Sequence, residues 1–317
     1  MTYKVFIDGE EGTTGLQIRD RLESRAEISL IRLSGDRRKD PEARREALNA
    51  SDVSILCLPD DASREAASMT ESNSTCLIDA STAHRVAADW TYGFPEMVAG
   101  HREKIAAAKR ISNPGCYPTG AIGLIRPLVA GGLLPADYPI AVNAVSGYSG
   151  GGKSLIARME DPKHEKAVDS AFFIYALGLE HKHVAEMQMH GGLDRRPIFA
   201  PSVGRFRQGM IVSVPLHLSL LSGGATVDRI REALADWYSG CRFVSVASPE
   251  EAEARVALLD PEELNDTNQL RLFVFGNQKR DHVVLAAQLD NLGKGASGAA
   301  VQNMNIALGL DEAAGLK

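Results

Sequence analysis

Residues 5–15 read VFIDGEEGTTG, and this stretch predicts the fold of the first part of the chain. Residues 5–8 are predicted to form a short apolar strand, and the apolar spacing of residues 16–22 predicts a helix after the glycines. A strand, a glycine turn and a helix in this order form a loop that can cradle a phosphate. The spacing is GxxGxxG rather than GxGxxG, so an ordinary glycine-rich turn is the alternative. The candidate cofactor contacts in this loop are Gly9, Gly12, Thr13, Thr14 and Gly15.

The end of the next predicted strand, residues 28–33, indicates which dinucleotide would bind. An NAD site usually has a carboxylate here that binds the ribose 2′-hydroxyl, but residues 34–39 read SGDRRK. A hydroxyl and three cations around one aspartate favour a 2′-phosphate, and hence NADP(H), with Ser34, Arg37 and Arg38 as contacts. A solvated basic loop is the alternative.

Further strands extend the same pattern. Residues 53–59 and 75–79 are predicted strands, and residues 41–50 and 62–71 are predicted helices. Alternating strands and helices imply a doubly wound parallel sheet, which binds ligands at the carboxyl ends of its strands. Leu58 and Pro59 are therefore candidate cofactor contacts.

Residues 112–120, SNPGCYPTG, place Cys116 between a predicted strand end and a predicted helix over residues 121–129. Unpaired N–H groups and the helix dipole favour a thiolate at that position and are expected to lower the pKa of the thiol. The same groups could hold an oxyanion on a carbonyl that Cys116 attacks. A buried structural cysteine is the alternative.

A second glycine-rich stretch, GYSGGGKS at residues 147–154, follows a predicted strand at residues 140–146. Its backbone could lie against a flat ring or an anion, so Ser149, Gly150 and Gly151 are candidate cofactor contacts. The stretch also satisfies GxxxxGK[ST], which raises a nucleoside triphosphatase as an alternative. No apolar strand ending in Asp follows as a magnesium partner, and that alternative would leave Cys116 without a role.

Residues 178–187, GLEHKHVAEM, form the densest polar cluster. A metal site is one interpretation of HxHxxE, but no further paired ligands lie nearby apart from His190, and no metal is predicted. A general acid or base beside the thiol is more economical, so His183 and His181 are candidate catalytic residues. Lys182 and Glu186 are candidate substrate contacts, and a polar helix start is the alternative.

The last third of the chain predicts a different kind of sheet. Residues 210–218, 270–276 and 283–289 alternate as half-buried strands, which suggests a mixed or antiparallel sheet and a surface for dimerisation. A helix after the glycine-rich loop at residues 291–298 is expected to pack back on the first domain, with Asn303 as a candidate cofactor contact.

Composition excludes several classes of protein. A net charge of −6 argues against a nucleic-acid binder, and no apolar run reaches the length of a membrane span. The four cysteines show no metal spacing, and no signal peptide precedes the first strand. A cytoplasmic protein is expected.

These motifs together resemble the N-acetyl-γ-glutamyl-phosphate reductase family of arginine biosynthesis, in its shorter branch. The resemblance spans nearly the whole chain; its carriers are residues 9–15, 58–59, 79–81, 92–96, 112–120, 146–152, 181–186 and 293–305. It implies the aspartate-semialdehyde dehydrogenase fold: a Rossmann domain over residues 1–115, completed by 297–317, and a catalytic and dimerisation domain over residues 116–296.

The resemblance also implies a chemistry. Cys116 would attack the γ-acyl phosphate to give a thioester, NADPH would reduce it, and His183, or else His181, would supply a proton as N-acetylglutamate γ-semialdehyde forms. Ser81, Arg85 and Asn113 join Lys182 and Glu186 as expected contacts of the small acyl phosphate substrate. A homo-oligomer, dimer or tetramer, is expected. The alternatives are an aspartate-semialdehyde dehydrogenase-like enzyme or an amino-adipyl phosphate reductase.

Overall fold

The computed structural model describes residues 2–317. The chain divides into two compact units, each built on one β-sheet. The first unit comprises Met1–Pro95, Ala99–Gly115 and Ala296–Lys317, and the second comprises Glu96–Val98 and Cys116–Gly295. Within residues 2–317, no helix is both long enough and apolar enough to span a bilayer.

The described residues form ten α-helices, which are divided between the two units. They are α1 (Thr13–Leu22), α2 (Pro41–Ala50), α3 (Asp60–Met69), α4 (His101–Ala107), α5 (Cys116–Ala130), α6 (Gly152–Glu160), α7 (His183–Gly191), α8 (Val227–Trp237), α9 (Pro249–Ala254) and α10 (Gly298–Ala307). Helices α1 to α4 and α10 lie in the first unit.

The first unit is an all-parallel α/β structure, as predicted. Its strands are β1 (Tyr3–Asp8), β2 (Ile28–Ile31), β3 (Val53–Leu56), β4 (Cys76–Asp79), β5 (Thr91–Tyr92) and β6 (Arg110–Ser112), and the order is β2-β1-β3-β4-β6-β5. Strands β3 and β4 are buried at every position, because the sheet of such a unit is covered on both faces. Their sequences, VSIL and CLID, are accordingly rich in apolar residues.

Helix α10 completes the core of this unit, which confirms the predicted return of the last helix to the first domain. Its residues Gly298–Ile306 are all buried, so the helix is enclosed rather than amphipathic. Val301, Met304 and Ile306 join the same apolar cluster as Val5 and Ile55 of the sheet.

The second unit is built on a mixed sheet, which confirms the prediction for the last third of the chain. Its strands are β7 (Ala141–Gly147), β8 (Phe172–Ile174), β9 (Ile198–Gly204), β10 (Met210–His217), β11 (Val244–Val246), β12 (Leu270–Asn277) and β13 (His282–Leu289), and the order is β11-β12-β13-β10-β7-β9-β8. The β7–β9 and β11–β12 pairs are parallel and the other pairs are antiparallel.

Helix α5 packs on one face of this sheet, against β10 and β13. The approach is close at Gly120, where an added Cβ would lie 2.8 Å from a methyl carbon of Val212. This packing fixes the start of α5, and with it Cys116, on the sheet.

Candidate active site

Cys116 is the first residue of α5, is half-buried and takes part in no disulfide. The first turn of α5 contains no acidic residue, so its N–H groups and dipole favour an anion at this end. The chain passes close to the cysteine at Gly295, where an added Cβ would lie 2.8 Å from the Cβ of Cys116. A side chain at position 295 would therefore displace the cysteine.

Two tyrosines lie within electrostatic reach of the thiol. The Tyr117 hydroxyl donates to the carbonyl oxygen of Ser202 (3.1 Å), and the Tyr175 hydroxyl donates to the hydroxyl oxygen of Tyr117 (3.3 Å). Burial raises the pKa of Tyr117 far above its usual value and raises the pKa of Tyr175 to about 12, and the charge of Cys116 adds to both shifts. Both phenols therefore stay protonated at neutral pH and cannot serve as bases.

Both candidate histidines belong to the same aromatic cluster. The ring centroids of His181 and His183 are 4.6 Å apart, and that of His183 lies 5.8 Å from Tyr117. The ring of His181 lies 5.7 Å from Tyr175 and 5.1 Å from Phe199. The structure thus brings Cys116, His181 and His183 around one pair of tyrosines.

A backbone hydrogen bond fixes the tautomer of His181. The N–H of His183 donates to Nδ1 of His181 at 3.1 Å, so the proton of the neutral ring lies on Nε2. Burial, with a smaller contribution from the charge of Lys182, lowers the pKa of His181 to about 4. His181 is therefore a neutral imidazole at physiological pH, and its Nε2–H is a hydrogen-bond donor.

The two expected substrate contacts beside the histidines differ in accessibility. Lys182 is exposed at the start of α7, whereas Glu186 is buried in the first turn of that helix. The segment before them contains Ala176 and Leu179, which adopt left-handed backbone conformations with φ of 54° and 59°. Such conformations in residues other than glycine persist only where the surroundings hold them.

In the first unit, the glycine loop after β1 borders a cavity of about 520 Å³. Gly9 has φ of +87°, and an added Cβ there would lie 2.4 Å from the carbonyl oxygen of Cys57, so the backbone needs glycine. Gly12 precedes α1, and Thr13, Thr14 and Gly15 form its first turn, which has no acidic residue. The loop therefore has the form that the phosphate-cradle prediction requires.

The candidate 2′-phosphate contacts are distributed unevenly around this cavity. Arg38 lines it and pairs with Glu11, whereas Arg37 has a largely exposed side chain and lies 3.5 Å from Glu46. Ser34 directly precedes the 3₁₀ turn Gly35–Arg38. Leu58 lines the cavity and Pro59 precedes α3.

Sequence reasoning missed two cations at this cavity. Lys39 belongs to the basic stretch but was not singled out, and Arg44 lies within α2, where no motif marks it. Arg44 is buried and bound to Asp8 at 2.9 Å. Burial raises the pKa of Asp8, against the opposing effect of Arg44.

The remaining candidates of the first unit are held by protein groups. Ser81 donates from its hydroxyl to Asp79 (2.8 Å), and Nε of Arg85 donates to the carbonyl oxygen of Asn113 (2.9 Å). The amide of Asn303 donates to Oδ1 of Asn113 (3.1 Å). The last two bonds hold Asn113 in place within the first unit.

The second glycine-rich stretch, residues 147–154, is held by hydrogen bonds to other parts of the second unit. The Ser149 hydroxyl accepts from Asn291 (3.0 Å), and the N–H of Ser149 donates to the carbonyl oxygen of Arg207 (3.0 Å). Gly150 and Gly151 continue the same short 3₁₀ turn, which leads into α6. These contacts do not involve the cluster around Cys116.

Other side chains near the candidate residues gave no signal in the sequence. Tyr175 and Phe199 reach the histidines from distant parts of the chain, and His84 donates to or accepts from Asp79 at 2.6 Å in the first unit. Throughout the described residues, no group of three or more His, Cys, Asp or Glu side chains is arranged to hold a metal ion.

Comparison with known families gives two matches that together cover most of the chain. Residues 4–108 match the model described as "Semialdehyde dehydrogenase, NAD binding domain", and residues 116–291 match "Semialdehyde dehydrogenase, dimerisation domain". The chain is 57% identical over 310 residues to the N-acetyl-gamma-glutamyl-phosphate reductases of Brucella anthropi and Brucella ovis, with 98% of this chain covered and 99% and 100% of theirs.

Solved structures of lower identity share the fold. Aspartate semialdehyde dehydrogenase II from Vibrio cholerae, complexed with ASA, aligns with a TM-score of 0.70 at 13% identity, over 97% of this chain and 98% of that chain. The enzyme from Francisella tularensis aligns with a TM-score of 0.70 at 14% identity, over 96% and 99%. At such identities the likeness is evidence of the fold alone.

Proposed function

Because this chain belongs to the semialdehyde dehydrogenase family, on the branch of the N-acetyl-γ-glutamyl-phosphate reductases, we propose that it converts N-acetyl-γ-glutamyl phosphate to N-acetylglutamate γ-semialdehyde and phosphate in arginine biosynthesis. Identity of 57% over 98% of the chain supports the substrate. The observation that carries the chemistry is Cys116 at the start of α5, next in the chain to Tyr117, whose ring lies 6.3 Å from that of a histidine with a defined tautomer.

The first unit is suited to hold NADP(H). The glycine loop allows close approach of a pyrophosphate, the first turn of α1 offers N–H groups, and Arg38 with Lys39 offers positive charge in the cavity. We propose Arg37, Ser34 and Leu58 as further contacts, with Pro59, Ser149, Gly150, Gly151 and Asn303 as predicted. When bound, NADPH supplies the hydride that reduces the acyl carbon.

Cys116 supplies the covalent step. Its sulfur attacks the acyl carbonyl, a carbon–sulfur bond forms, and the carbon–oxygen bond to phosphate breaks, which leaves a thioester. A thioester carbonyl accepts hydride more readily than an oxygen ester. After reduction, the carbon–sulfur bond breaks and the electron pair returns to Cys116, so the thiolate is regenerated. The start of α5 favours the anionic sulfur in both steps.

The two histidines take different roles. His181 donates its Nε2–H to the carbonyl oxygen that becomes negative, as a neutral imidazole that gains no charge. His183 supplies the one proton that the overall reaction consumes, which contributes about 10²–10⁴-fold to the rate. Tyr117 and Tyr175 line the site, and because they stay protonated they do not act as bases.

The predicted substrate contacts are Lys182 and Glu186 beside the histidines and Ser81, Arg85 and Asn113 in the first unit. The exposed ammonium of Lys182 is suited to an anionic substrate group. We also propose that the enzyme acts as a homo-oligomer, dimer or tetramer, in the cytoplasm, where its four cysteines, none of them in a disulfide, would remain reduced.

The reverse reaction tests this function and avoids the labile acyl phosphate. N-acetylglutamate γ-semialdehyde, NADP⁺ and phosphate should give NADPH absorbance that disappears when phosphate is omitted. A stronger signal with aspartate semialdehyde would mean that the enzyme has the proposed chemistry but the substrate specificity of the aspartate enzymes. NADP⁺ binding with no turnover of either aldehyde would refute the proposal.

A further inference from the structure

Two histidines of the second unit face each other at one end of its sheet. The antiparallel register of β10 and β13 ends with His217 opposite His282, so both side chains project to the same side of the sheet. Their ring centroids lie 5.2 Å apart, with an angle of 70° between the ring planes. Both residues are exposed to solvent, and the proposed reaction gives them no role.

The separation of the two rings suits a shared metal ion. Zinc binds imidazole nitrogen at about 2.0–2.1 Å in a tetrahedral arrangement, so two imidazoles on one zinc ion have ring centres about 5 Å apart. The observed 5.2 Å meets that distance without a change in the backbone. Because both side chains are exposed, small rotations about their χ angles can turn one nitrogen of each ring toward a common point.

The backbone beneath the pair is fixed by hydrogen bonds. The N–H of His217 donates to the Tyr138 hydroxyl (2.9 Å), and the N–H of Leu218 donates to the carbonyl oxygen of Asp281 (3.0 Å). The N–H of Ser219 donates to Oδ1 of Asp281 (2.7 Å). The ends of β10 and β13 are therefore held together before an ion binds, which lowers the entropic cost of binding.

A carboxylate lies beside the two rings. Oδ2 of Asp281 is 3.9 Å from Nδ1 of His217, which is beyond hydrogen-bond distance, so Asp281 adds negative charge without occupying that nitrogen. Hydrogen bonds from Ser219, chiefly that of its hydroxyl, lower the pKa of Asp281, so the carboxylate is ionised at neutral pH. Lys279 and Arg280 precede Asp281 in the same turn, so charge alone does not favour a cation there. The imidazoles must supply the affinity.

We propose that His217 and His282 bind a divalent transition-metal ion such as Zn²⁺ at the exposed end of β10 and β13, with water completing its coordination. Imidazole suits zinc, copper and nickel, whereas Mg²⁺ and Ca²⁺ prefer oxygen ligands. The site has two protein ligands, which agrees with the lack of any group of three among residues 2–317. An ion there joins two strands that are distant in the sequence, so it stabilises the second unit and takes no part in the reaction at Cys116.

Zinc binding to the full chain, prepared without a polyhistidine tag, tests this site. Equilibrium dialysis against micromolar Zn²⁺ should show one zinc ion fewer per chain in His217→Gln, and in His282→Gln, than in wild type. Removing either imidazole breaks the chelate and should raise the dissociation constant of the site about 10-fold or more. Zinc bound elsewhere, for example by thiols, is common to all forms and cancels in the comparison.

The matched control is His164→Gln, because Nδ1 of His164 already accepts a backbone N–H, from Lys166. This variant should bind as much zinc as wild type. Equal zinc binding in wild type and both variants of the pair, or a loss in only one of the two, would overturn the proposal.

Thermal unfolding gives an independent measurement. Zn²⁺ should raise the melting temperature of wild type more than that of His217→Gln or His282→Gln. Without zinc the three forms should melt at the same temperature, because both side chains are exposed. Mg²⁺ at the same concentration should produce no difference among them, and an equal effect of Mg²⁺ and Zn²⁺ would contradict an imidazole site. Neither measurement involves catalysis, so both can fail independently of the proposed function.

Discussion

The two sheets of the molecule carry their functional groups in different places. In the all-parallel sheet the candidate groups follow strand ends: Gly9 comes after β1, Leu58 after β3 and Ser81 after β4. In the second unit the thiol begins α5, His183 begins α7, and His181 lies two residues before it. A parallel sheet gathers groups at one edge because all its strands end there, whereas a mixed sheet does not.

The dinucleotide site and the proposed thiol chemistry are therefore assigned to separate sheets. The cradle depends on backbone geometry at Gly9 and Gly15, and the thiol site depends on side chains of a single aromatic cluster. Substitutions should therefore remove one property and spare the other.

The largest expected effect is a loss of catalytic activity with no loss of NADP⁺ binding. Cys116→Ala should lower the phosphate-dependent reduction of NADP⁺ by about 10⁴-fold or more, because no other group forms the thioester. Binding of NADP⁺, followed by fluorescence titration, should change less than about twofold. Cys241→Ala is the matched control in the second unit and should keep full activity. If Cys116→Ala keeps more than one hundredth of the wild-type activity, the covalent step does not depend on Cys116 alone and the prediction is contradicted.

A buried ion pair in the second unit should give the largest effect on stability. Nζ of Lys294 lies 2.8 and 2.9 Å from the two carboxylate oxygens of Glu96, and both side chains are buried. Lys294→Met leaves that carboxylate without its ammonium and should lower the free energy of unfolding by about 3–5 kcal/mol. Urea unfolding measures the loss.

The double variant Lys294→Met with Glu96→Leu sharpens this test. Removing both charges should restore most of the lost free energy, because the cost lies in an uncompensated buried charge rather than in the missing bond. A double variant no more stable than Lys294→Met would show instead that packing of the lysine stem is what matters.

Elements that depend on neighbouring residues could be predicted from the sequence. Elements that depend on pairing with distant parts of the chain could not. The glycine loop was predictable because turn geometry involves neighbouring residues. The start of α5 was placed wrongly, because the helix begins at Cys116 and not at residue 121 as its apolar spacing predicts. Strand β9 was not predicted, because IFAPSVG contains Pro201 and does not alternate, yet it lies inside the sheet between β7 and β8. Its pairing is decided by strands far away in the chain.

The candidate site shows the same limit. The thiol and both histidines were predicted from the sequence as candidates, but Tyr175 and Phe199 were not, since only the fold brings them to His181. The different roles that we propose for the two histidines could not be predicted either, because the proposal depends on one backbone N–H bonded to Nδ1 of His181. A hydrogen bond of this kind leaves no pattern in the residue types.

The glycine loop gives a smaller effect confined to the first unit. Gly9→Ala places a Cβ 2.4 Å from the carbonyl oxygen of Cys57 at φ of +87°, so the loop must move. The affinity for NADP⁺ should fall about 10–100-fold, with a loss of about 1–3 kcal/mol in stability. Alkylation of Cys116 by iodoacetamide should keep its wild-type rate.

The matched control is Gly35→Ala, because Gly35 also has a positive φ of +56° but no atom lies within 4 Å of the added Cβ. Gly35→Ala should introduce backbone strain without a steric clash, so it should keep more of the affinity for NADP⁺ than Gly9→Ala does. Equal losses in the two variants would mean that close approach at Gly9 is not what shapes the cradle.

The smallest expected effect concerns acid stability and belongs to the second unit. The pKa of His181 in the folded protein is about 4, below its ordinary 6.5. Between these values the unfolded chain binds a proton that the folded protein does not, so this group lowers stability as pH falls from about 6.5 to about 4. The ring is only half-buried, so we expect a loss of about 1 kcal/mol from this source.

His181→Gln should remove this contribution, so its free energy of unfolding should depend less steeply on pH between 7 and 5 than that of wild type. Urea titrations at the two pH values give the slope. His164→Gln is the control, because Nδ1 of His164 also accepts a backbone N–H, from Lys166 at 3.0 Å, but lies outside the aromatic cluster. If the two variants flatten the slope equally, the hydrogen bond alone, and not burial among Tyr175 and Phe199, sets the acid response of His181.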